Sequence, residues 1–570
     1  MATEAALGAE PRPADVGLRR EVGLIGATWA SETSIIGSGW LFGAYFAAQA
    51  VGAVAVICWI IAGIAVIILA LVHAELGGMY PVSGGTARFP HFAFGSIAGI
   101  SFGFFSYLQA VTIAPVECYA VMTYGQYWFN SHHFYIFNTT TGNVTGTGFV
   151  FTIILMAIFT AINFLAVKLF SLVNAGITWW KVAIPVLAII VLFTQFHASN
   201  FSAGGGFIPK GVGWKDIFAA IPAAGIVFAY LGFEQADQLA GEVKNPQRNL
   251  PMAIILAIAI GTAIYVLLQV VFIGAMSPAV LKAHGGFLGI VCPTSGACNP
   301  TVSDIVSGPF AAVAALAAFG WLAIILRIDA FVSPFGTGLI YQTATSRVGY
   351  GLSRNRYYPP FFGKVDRNGV PWVSLILAFL FGLLFLLPFP SWHSLVGLIT
   401  SATVLMYAGA PLSLGAFRRQ VPEAGRPYRM PGAVWLSPLA FVIASMIIYW
   451  SGFEVIWKLG IAVVIGYVLI GIWMAYDKQR PPLDWRSAQW LPVYLIGLGI
   501  ISWQGQFSGQ TSTTPLPPTN TGNIPFWWDM LIVAVFSLVI YFWAQAVRLP
   551  REEMENLVAR QSGPVEKVGH

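Results

Sequence analysis

The stretch FAYLGFEQADQLAGEVKNPQRNLP, residues 228–251, determines the fold prediction for this chain. It places Gly232 and Glu234 inside an apolar segment, which then ends in a polar turn. About twenty apolar residues in one helix suffice to cross a bilayer, and such a helix needs neither a glycine nor an acid at membrane depth. Lipid tolerates non-helical backbone only where it faces protein or water. We therefore predict a broken helix that lines a polar cavity.

A second interruption lies near the N-terminus. The apolar run GLIGATWASETSIIGSGWLFGAYF, residues 23–46, is interrupted by Gly37, Ser38 and Gly39. A glycine in an isolated span more often marks close helix packing than a binding site. Two interrupted helices in one chain, however, indicate a transporter site near the midplane of the membrane. The two segments together predict a site between the breaks.

The composition places the chain among membrane proteins. Of its 570 residues, 57% are hydrophobic and 9% are charged, and the mean hydropathy is +0.74. Soluble domains do not reach these values. The pattern predicts an all-α polytopic membrane protein with about 12–14 transmembrane helices. The predicted spans lie near residues 22–47, 50–74, 94–128, 148–166, 170–195, 217–238, 252–276, 318–346, 371–389, 393–417, 436–456, 459–476, 490–503 and 526–547.

The positive charges predict an orientation. With the N-terminus inside, about 23 Lys and Arg residues fall in cytoplasmic segments and about 4 fall outside. Lys181 and Arg327 remain at membrane depth. The net charge of +6 is thus explained by the cytoplasmic side of a membrane, and no nucleic acid partner is needed. We expect a multi-pass protein of the cell membrane, inner or plasma, with both termini in the cytoplasm.

Five ordered motifs resemble one family. They are EVGLIGATWASETSIIGSGWLF at 21–42, AELGGMYPVSGG at 74–85, GFEQADQLAGEVKNPQRNLP at 232–251, SRVGYGLSRNRYYPPFFGKVDRNGVP at 346–371 and RPYRMPG at 426–432. On these motifs the chain is similar to members of the amino acid-polyamine-organocation (APC) superfamily of permeases, and it most resembles the proton-coupled aspartate and amino acid symporters.

The resemblance implies an inverted-repeat (5+5) transporter fold with discontinuous helices 1 and 6. The implied domains are a cytoplasmic tail at 1–20, a transport core at 21–417, additional transmembrane helices at 418–547 and a cytoplasmic tail at 548–570. Within the core, the two inverted five-helix repeats are 21–195 and 217–417. The stretch 303–346 is too long for one straight span, so we expect its Ala-rich first part to form a separate external helix over the cavity.

The resemblance also implies how a substrate is held. The N–H groups at Gly37, Ser38 and Gly39 begin a half-helix, whose positive dipole end favours the α-carboxylate of an amino acid. The substrate's ammonium group would meet carbonyl groups freed at the two breaks. These are predicted around Ile36, Phe228 and Leu231, next to Gly232. The aromatic residues placed to enclose the substrate are Trp40, Phe228, Tyr230 and Tyr341.

Six charged residues lie within apolar runs. They are Glu32, Glu117, Lys181, Glu234, Arg327 and Asp329. Because burying four carboxylates opposite two cations is costly, we expect one or two of the acids to be protonated in some state, as proton coupling requires. The alternative is that some of these residues form static ion pairs or lie nearer the membrane interface.

Lys181 lies about eleven residues into the fifth span, too deep to reach water easily by extending its side chain. The resemblance implies a specific role for this position. In proton-coupled members of the family, a lysine at the matching position faces the broken first helix and occupies the place where sodium-coupled members bind an ion. Its predicted contacts are the carbonyl region near Gly37 and the hydroxyl groups of Ser333 or Thr337. We expect Lys181 to lose and regain a proton during transport, with a structural role as the alternative.

Glu234 matches an acid that acts as a proton-sensitive gate in similar exchangers. A structural hydrogen bond to the first helix is the alternative role. Glu117 and Asp329 are assigned to the same coupling and gating group.

Arg327 and Asp329 lie two residues apart, so their side chains point about 200° apart around a helix. At most one of them can face the cavity. Arg327 is predicted either to bind the side-chain carboxylate of a substrate or to pair with Glu117. We favour an acidic substrate such as aspartate or glutamate. Because four buried acids would attract a positive charge, a cationic amino acid or a polyamine is an alternative substrate.

These observations predict secondary active, proton-coupled amino acid uptake by a monomer or homodimer. An amino acid exchanger and a non-transporting amino acid sensor are the alternatives. A potassium carrier is disfavoured because Lys181 would repel the ion. We find no sequence pattern of an enzyme, a metal site or a cofactor site. Cys292 and Cys298 are expected to form a small disulfide if the outside is oxidising.

Overall fold

The computed structural model describes most of the chain. The described residues are 22–82, 85–130, 134–164, 167–238, 240, 243–293, 297–366, 369–389, 391–509 and 519–562. The predicted tail at 1–20 lies outside the described residues, and so does the end of the predicted tail at 548–570.

The described chain is almost entirely helical, and ten of its helices are long and apolar enough to cross a membrane. The strands in this part of the chain are β1 (Phe137–Asn138) and β2 (Asn143–Val144), which pair antiparallel. The prediction of an all-α polytopic protein is confirmed. The other predicted spans are represented by broken or shorter helices, or form a nearly continuous helical run with a neighbouring span.

Seven helices lie in the described residues of the first predicted repeat. These are α1 (Leu24–Ile35), α2 (Ser38–Val51), α3 (Ala55–Met79), α4 (Gly85–Phe94), α5 (Ser96–Asn130), α6 (Gly146–Phe164) and α7 (Val167–Phe193). A short 3₁₀ turn at Gly52–Val54 separates α2 from α3.

The second predicted repeat begins after a 3₁₀ turn at Ala198–Ser202. Its helices are α8 (Trp214–Ala223), α9 (Ile226–Tyr230), α10 (Gln235–Gln238), α11 (Pro246–Ala275), α12 (Pro278–Ala283), α13 (Pro300–Ser307), α14 (Pro309–Leu316), α15 (Gly320–Arg354), α16 (Trp372–Leu386), α17 (Trp392–Tyr407) and α18 (Gly409–Gln420). Two further 3₁₀ turns lie at Phe287–Gly289 and Pro360–Gly363.

The helices after the predicted core are α19 (Ala433–Trp450), α20 (Phe453–Tyr476), α21 (Trp485–Ala488), α22 (Trp490–Gln504), α23 (Phe526–Ala546) and α24 (Arg551–Ser562). Helix α19 packs against α17, α18 and α23, which attaches this segment to the rest of the molecule.

Both predicted helix breaks occur, with differences in detail. The first helix stops at Ile35 and resumes at Ser38, so Ser38 and Gly39 begin the second half-helix instead of lying between the halves. The sixth span leaves helical geometry at 231–234, where Gly232 has a φ of +122° that other residues rarely adopt. It is also broken at Gly225, a second interruption that the sequence prediction missed.

The expected division of 303–346 is also present. Two short helices, α13 and α14, precede α15, and Ala318 adopts a positive φ of 63° between α14 and α15. Helix α14 packs against α15, α2 and α11, next to the second half of the broken first helix.

The two broken helices approach each other at glycines. A Cβ added at Gly39 would lie 2.7 Å from the Cα of Ala229, and one added at Gly232 would lie 2.8 Å from the backbone of Ser34 and Ile35. The absence of a side chain at Gly39 and Gly232 therefore sets the distance between the breaks.

Buried ionic contacts hold the end of α3. The Glu75 carboxylate lies 2.6 Å from Nη2 of Arg418 and 3.1 Å from Nε of Arg426, and it accepts a hydrogen bond from the Met430 backbone N–H. These contacts join α3 to α18 and to the RPYRMPG motif. Because Glu75 is fully buried, removal of either arginine leaves a poorly compensated charge.

The four cysteines fall into two groups. Cys292 and Cys298 form a disulfide, in agreement with the prediction. Cys58 on α3 and Cys118 on α5 are unpaired and fully buried.

The close approach at Gly232 generates a prediction. Gly232→Ala combines a strained positive φ with steric overlap against the first helix, so we expect a loss of about 3 kcal/mol in stability. Thermal unfolding in detergent, followed by size-exclusion chromatography, measures the shift. Gly471→Ala on α20, where an added Cβ meets no atom within 4 Å, is the matched control and should shift the midpoint little. Equal midpoints for the two variants would contradict the prediction.

Candidate transport site

A narrow cavity lies between the two breaks. Its wall is formed by Ser34, Ile35, Gly37, Gly39, Ile113, Glu117, Phe228, Leu231, Thr337 and Tyr341. These residues come from both broken helices, from α5 and from α15. The interior has room for about one water molecule. In this conformation the surrounding helices must therefore separate before a larger solute can enter.

The start of α2 is capped by Glu117. The Glu117 carboxylate accepts one hydrogen bond from the backbone N–H of Ser38 at 3.0 Å and another from its hydroxyl group at 3.0 Å. The Ser38 hydroxyl oxygen in turn accepts from the indole N–H of Trp392 at 2.7 Å. These hydrogen bonds join α5, the broken first helix and α17. The positive end of α2 thus already interacts with a carboxylate, in the position where a substrate carboxylate was predicted.

Lys181 is fully buried on α7 and faces the first half of the broken helix. Its ammonium group donates to the carbonyl oxygen of Thr33 at 2.5 Å and to the hydroxyl of Thr337 at 2.6 Å. The predicted contact with Thr337 is present. The carbonyl is that of Thr33, one helical turn before Gly37, instead of one at the break itself.

Asp329 lies near Lys181 but is bound by other groups. One of its oxygens accepts from the Trp180 indole N–H at 2.8 Å and from the Ser333 hydroxyl at 2.8 Å. Ser333 therefore binds Asp329, and of the two hydroxyl groups predicted as alternatives for Lys181, Thr337 is the one in contact with it. Within the described chain, the other Asp329 oxygen has no hydrogen-bond partner.

Glu234 is bound by four donors. The Gly232 N–H donates at 3.0 Å, the Gln235 amide at 3.3 Å and the Tyr341 hydroxyl at 3.4 Å, and the Tyr407 hydroxyl also donates. An ionised carboxylate accepts four such bonds, two on each oxygen. Glu234 therefore ties the break in the sixth span to α15 and α17. This differs from the predicted structural alternative, a bond to the first helix.

Several predicted substrate contacts lie behind the cavity wall. Trp40 packs on Phe310 with ring centroids 5.2 Å apart, and Ile36 is fully buried away from the lining. At the first break, the Ile35 carbonyl accepts a hydrogen bond from the Tyr265 hydroxyl at 2.7 Å, whereas the prediction named the region around Ile36. Tyr230 is likewise remote, because its hydroxyl group donates to the Trp59 carbonyl.

Arg327 does not reach the cavity. Its guanidinium carbon lies 3.4 Å from the centroid of the Tyr127 ring, and Arg327 is absent from the lining. Glu117, the other predicted partner, is occupied by Ser38. In this conformation Arg327 neither lines the cavity nor pairs with Glu117, and its role toward a substrate stays a prediction. The helical angle between Arg327 and Asp329 requires the two side chains to face different directions, but it does not determine which of the two faces inward.

Sequence reasoning missed several groups at the site. Thr33, Ser34 and Ile113 contact Lys181 or line the cavity, and Trp392 and Tyr407 on α17 bind Ser38 and Glu234. Thr33 had a usable signal, a hydroxyl residue one turn before Gly37 in an apolar run. The two aromatics had none, because span 10 brings them to the site only in three dimensions.

The comparison with known families agrees with this geometry. Residues 22–473 match the amino acid permease family, so the chain belongs to that family. It is therefore an amino acid transporter, and the expectation that it is not an enzyme is confirmed.

Two similar proteins come from Bacillus subtilis. The chain is 34% identical over 534 residues to the glutamate/serine transporter AimA, covering 92% of this chain and 94% of that protein. It is 34% identical over 530 residues to an aspartate-proton symporter, covering 92% and 95%. A methylthioribose transporter of the same organism is 25% identical over 77% of this chain and 89% of its own length.

The position of Arg327 generates a prediction about affinity. Arg327→Gln should leave the apparent KM for amino acid uptake within about twofold of the native value, since the side chain does not reach the cavity. It should lower thermal stability by about 1 kcal/mol through loss of the contact with Tyr127. Arg327→Lys is the charge-matched comparison. A KM that rises about tenfold in the Gln variant and is restored by Lys would return Arg327 to the substrate.

Proposed function

We propose that this protein is a proton-coupled symporter that takes up an acidic amino acid across the cell membrane, with Lys181 as the coupling residue. The observation that carries the proposal is the ammonium group of Lys181, held between the Thr33 carbonyl and the Thr337 hydroxyl. A carbonyl and a hydroxyl oxygen are hard ligands of the kind that a metal cation takes. Here the protein's own ammonium group supplies that positive charge.

The position of Lys181 links proton binding to helix position. When charged, its ammonium group holds the first half of the broken helix to α15. When it loses the proton, the neutral amine keeps two N–H groups but no charge, so its hydrogen bonds to both oxygens become weaker and the contact between these helices weakens. Thr337 also lines the cavity, so a solute there acts on the same contact.

The amino acid is proposed to bind across the two breaks. Gly37 and Gly39 line the cavity at the start of α2, where we place the α-carboxylate once the surrounding helices have separated, and Phe228 and Leu231 border the opposite side. Ser38 contributes a hydroxyl and an N–H group that Glu117 holds in place. Glu117 lies near Lys181, and together with Asp329 and Glu234 it completes the proposed coupling group.

An acidic substrate is supported by the two similar proteins named for glutamate/serine and for aspartate. In this conformation Arg327 does not line the cavity and so offers no side-chain carboxylate partner there. Of the buried cations near the cavity, Lys181 is the one whose hydrogen-bond partner, Thr337, forms part of the wall. We therefore place the substrate's second carboxylate on the Thr337 side.

The membrane arrangement belongs to the same proposal. Cytoplasmic termini follow from the distribution of Lys and Arg residues. The transport core is proposed to be 21–417, with repeats at 21–195 and 217–417 and the helices of 418–547 packed outside it. With this orientation, α1 and α10 are the cytoplasmic halves of the two broken helices.

The test is uptake of radiolabelled aspartate into proteoliposomes. With the outside more acidic by one pH unit and the membrane potential clamped at zero, one coupled proton supports about tenfold accumulation. The native protein should accumulate aspartate, and Lys181→Ala should not. Lys458→Ala, which removes a partly buried lysine paired with Glu454 on α20, is the matched control and should behave as the native protein does.

Other outcomes identify the alternatives. Flux that ignores the gradient and requires an internal amino acid would make the protein an exchanger, and Lys181 would lose its proposed role. Binding without flux would favour a sensor. Competition by arginine or a polyamine, with none by glutamate, would replace the acidic substrate by a cationic one.

A further inference from the structure

Asp237 is a buried acid that the site described above does not use. It lies on α10, three residues after Glu234, and is 1% exposed. Its carboxyl group is inserted against α3, where a Cβ at Gly77 would overlap one of its oxygens. The Gln238 N–H donates to the Glu234 carbonyl at 3.0 Å, so the helical turn includes Glu234. Residues three apart in such a turn are neighbours on one face.

Neither oxygen of Asp237 has a hydrogen-bond partner within the described part of the chain. A buried carboxylate without donors or a cation is among the most unfavourable groups in a protein interior. A neutral carboxyl group avoids most of that cost. In this conformation Asp237 therefore carries a proton.

Glu234 is in the opposite situation. Its two oxygens receive four donors, as the ionised form prefers. Two neighbouring carboxyl groups in a low-dielectric site do not both ionise, so one proton on the pair is the favoured state. The surroundings place that proton on Asp237.

We propose that Asp237 is the proton-release group of the transport cycle: it takes the proton from Glu234 and delivers it to the cytoplasm. This inference rests on the proposed proton-coupled function and on its orientation, and it adds a residue that the coupling group lacked. Asp237 lies beyond the break, on the proposed cytoplasmic side of Glu234.

The transfer balances without any further reactant. The O–H bond of protonated Glu234 breaks, its electron pair stays on the Glu234 oxygen, and a new O–H bond forms on the Asp237 carboxylate. In the release step the Asp237 O–H bond breaks and the proton passes to cytoplasmic water. Asp237 is then a carboxylate again.

Contacts around α10 explain why release must await a conformational change. The Ser31 hydroxyl donates to the Phe233 carbonyl at 3.0 Å, and the Lys244 N–H donates to the Val22 carbonyl at 2.7 Å. These bonds hold α1 against the inner end of the sixth span and shut Asp237 from water. When α1 and α10 separate, Asp237 gains solvation for its charge and can release its proton.

Other titratable groups lie on the helices packed against α10 and on the same side of the break. They are Glu32 on α1, His73 and Glu75 on α3, Arg88 on α4 and Arg248 on α11. Glu75 is neutralised by Arg418 and Arg426, and Glu32 is a second buried acid without a partner in the described chain. His73 binds the Leu69 carbonyl through Nδ1, which leaves Nε2 as an acceptor. Among these groups and Glu234, Glu234 is the one that shares a helical turn with Asp237.

Asp237→Asn provides the test, because it keeps the shape and the neutral state but cannot release a proton. In the proteoliposome assay, aspartate exchange against internal aspartate should stay within about twofold of native. Gradient-driven accumulation should fall from about tenfold to about one. A pH dye trapped inside native vesicles should report acidification as aspartate enters, and the variant should give none.

The matched control is Asp529→Asn, which alters a fully buried aspartate on α23; one oxygen of this aspartate has no hydrogen-bond partner among the described residues. It should accumulate aspartate as the native protein does. If Asp237→Asn does not fold, Asp237→Ser provides a smaller neutral replacement, with the same expected result.

Three results would overturn the inference. If Asp237→Asn accumulates aspartate as the native protein does, the proton on Asp237 is not released during transport. Loss of both exchange and accumulation in a folded variant would assign Asp237 to binding or to helix movement, and failure of both variants to fold would make it a structural group. If the native protein itself ignores the gradient, the proposed function fails first, and that pattern is distinct.

Discussion

Backbone groups that leave the helical pattern inside a membrane have no water to satisfy them, and each unsatisfied group costs several kcal/mol. Both breaks in this protein meet that constraint with side chains. Glu117 accepts from the Ser38 N–H, Tyr265 donates to the Ile35 carbonyl, and Lys181 donates to the Thr33 carbonyl. At the second break, Glu234 accepts from the Gly232 N–H and Ser31 donates to the Phe233 carbonyl. The broken helices exist because these polar groups are present at membrane depth.

The same contacts explain how a change of charge can move helices. Lys181 and Glu234 each bind a freed backbone group on one helix and a hydroxyl group on another. A change in protonation of either side chain therefore alters two things together. It changes the hydrogen bonding of the backbone groups at the break, and it changes the packing of the neighbouring helix. In the proposed cycle no separate transmission path is needed, since Lys181 and Glu234, the proposed titrating groups, are themselves contacts between the helices proposed to move.

Much of this arrangement follows from the sequence. Glycines and acids in otherwise apolar runs locate both breaks, and the resemblance to proton-coupled permeases implies that Lys181 lies opposite the first one. The rotation of α15 does not follow, so Arg327 was assigned inward although it packs on Tyr127. The burial of Asp237 was also hidden, because residues 235–251 look like a polar turn. Tyr407 and Trp392 reach the site through long-range packing that no local pattern records.

The distribution of the four cysteines has a practical consequence. Two of them are joined to each other, and the other two are buried in α3 and α5. The native chain therefore offers no readily accessible thiol to a maleimide reagent. A cysteine introduced at a chosen surface position would be the main site of labelling, so pairs of spin labels or fluorophores can be placed without first removing the natural cysteines. Distances between the helices can then be followed in a protein whose packing is otherwise unaltered.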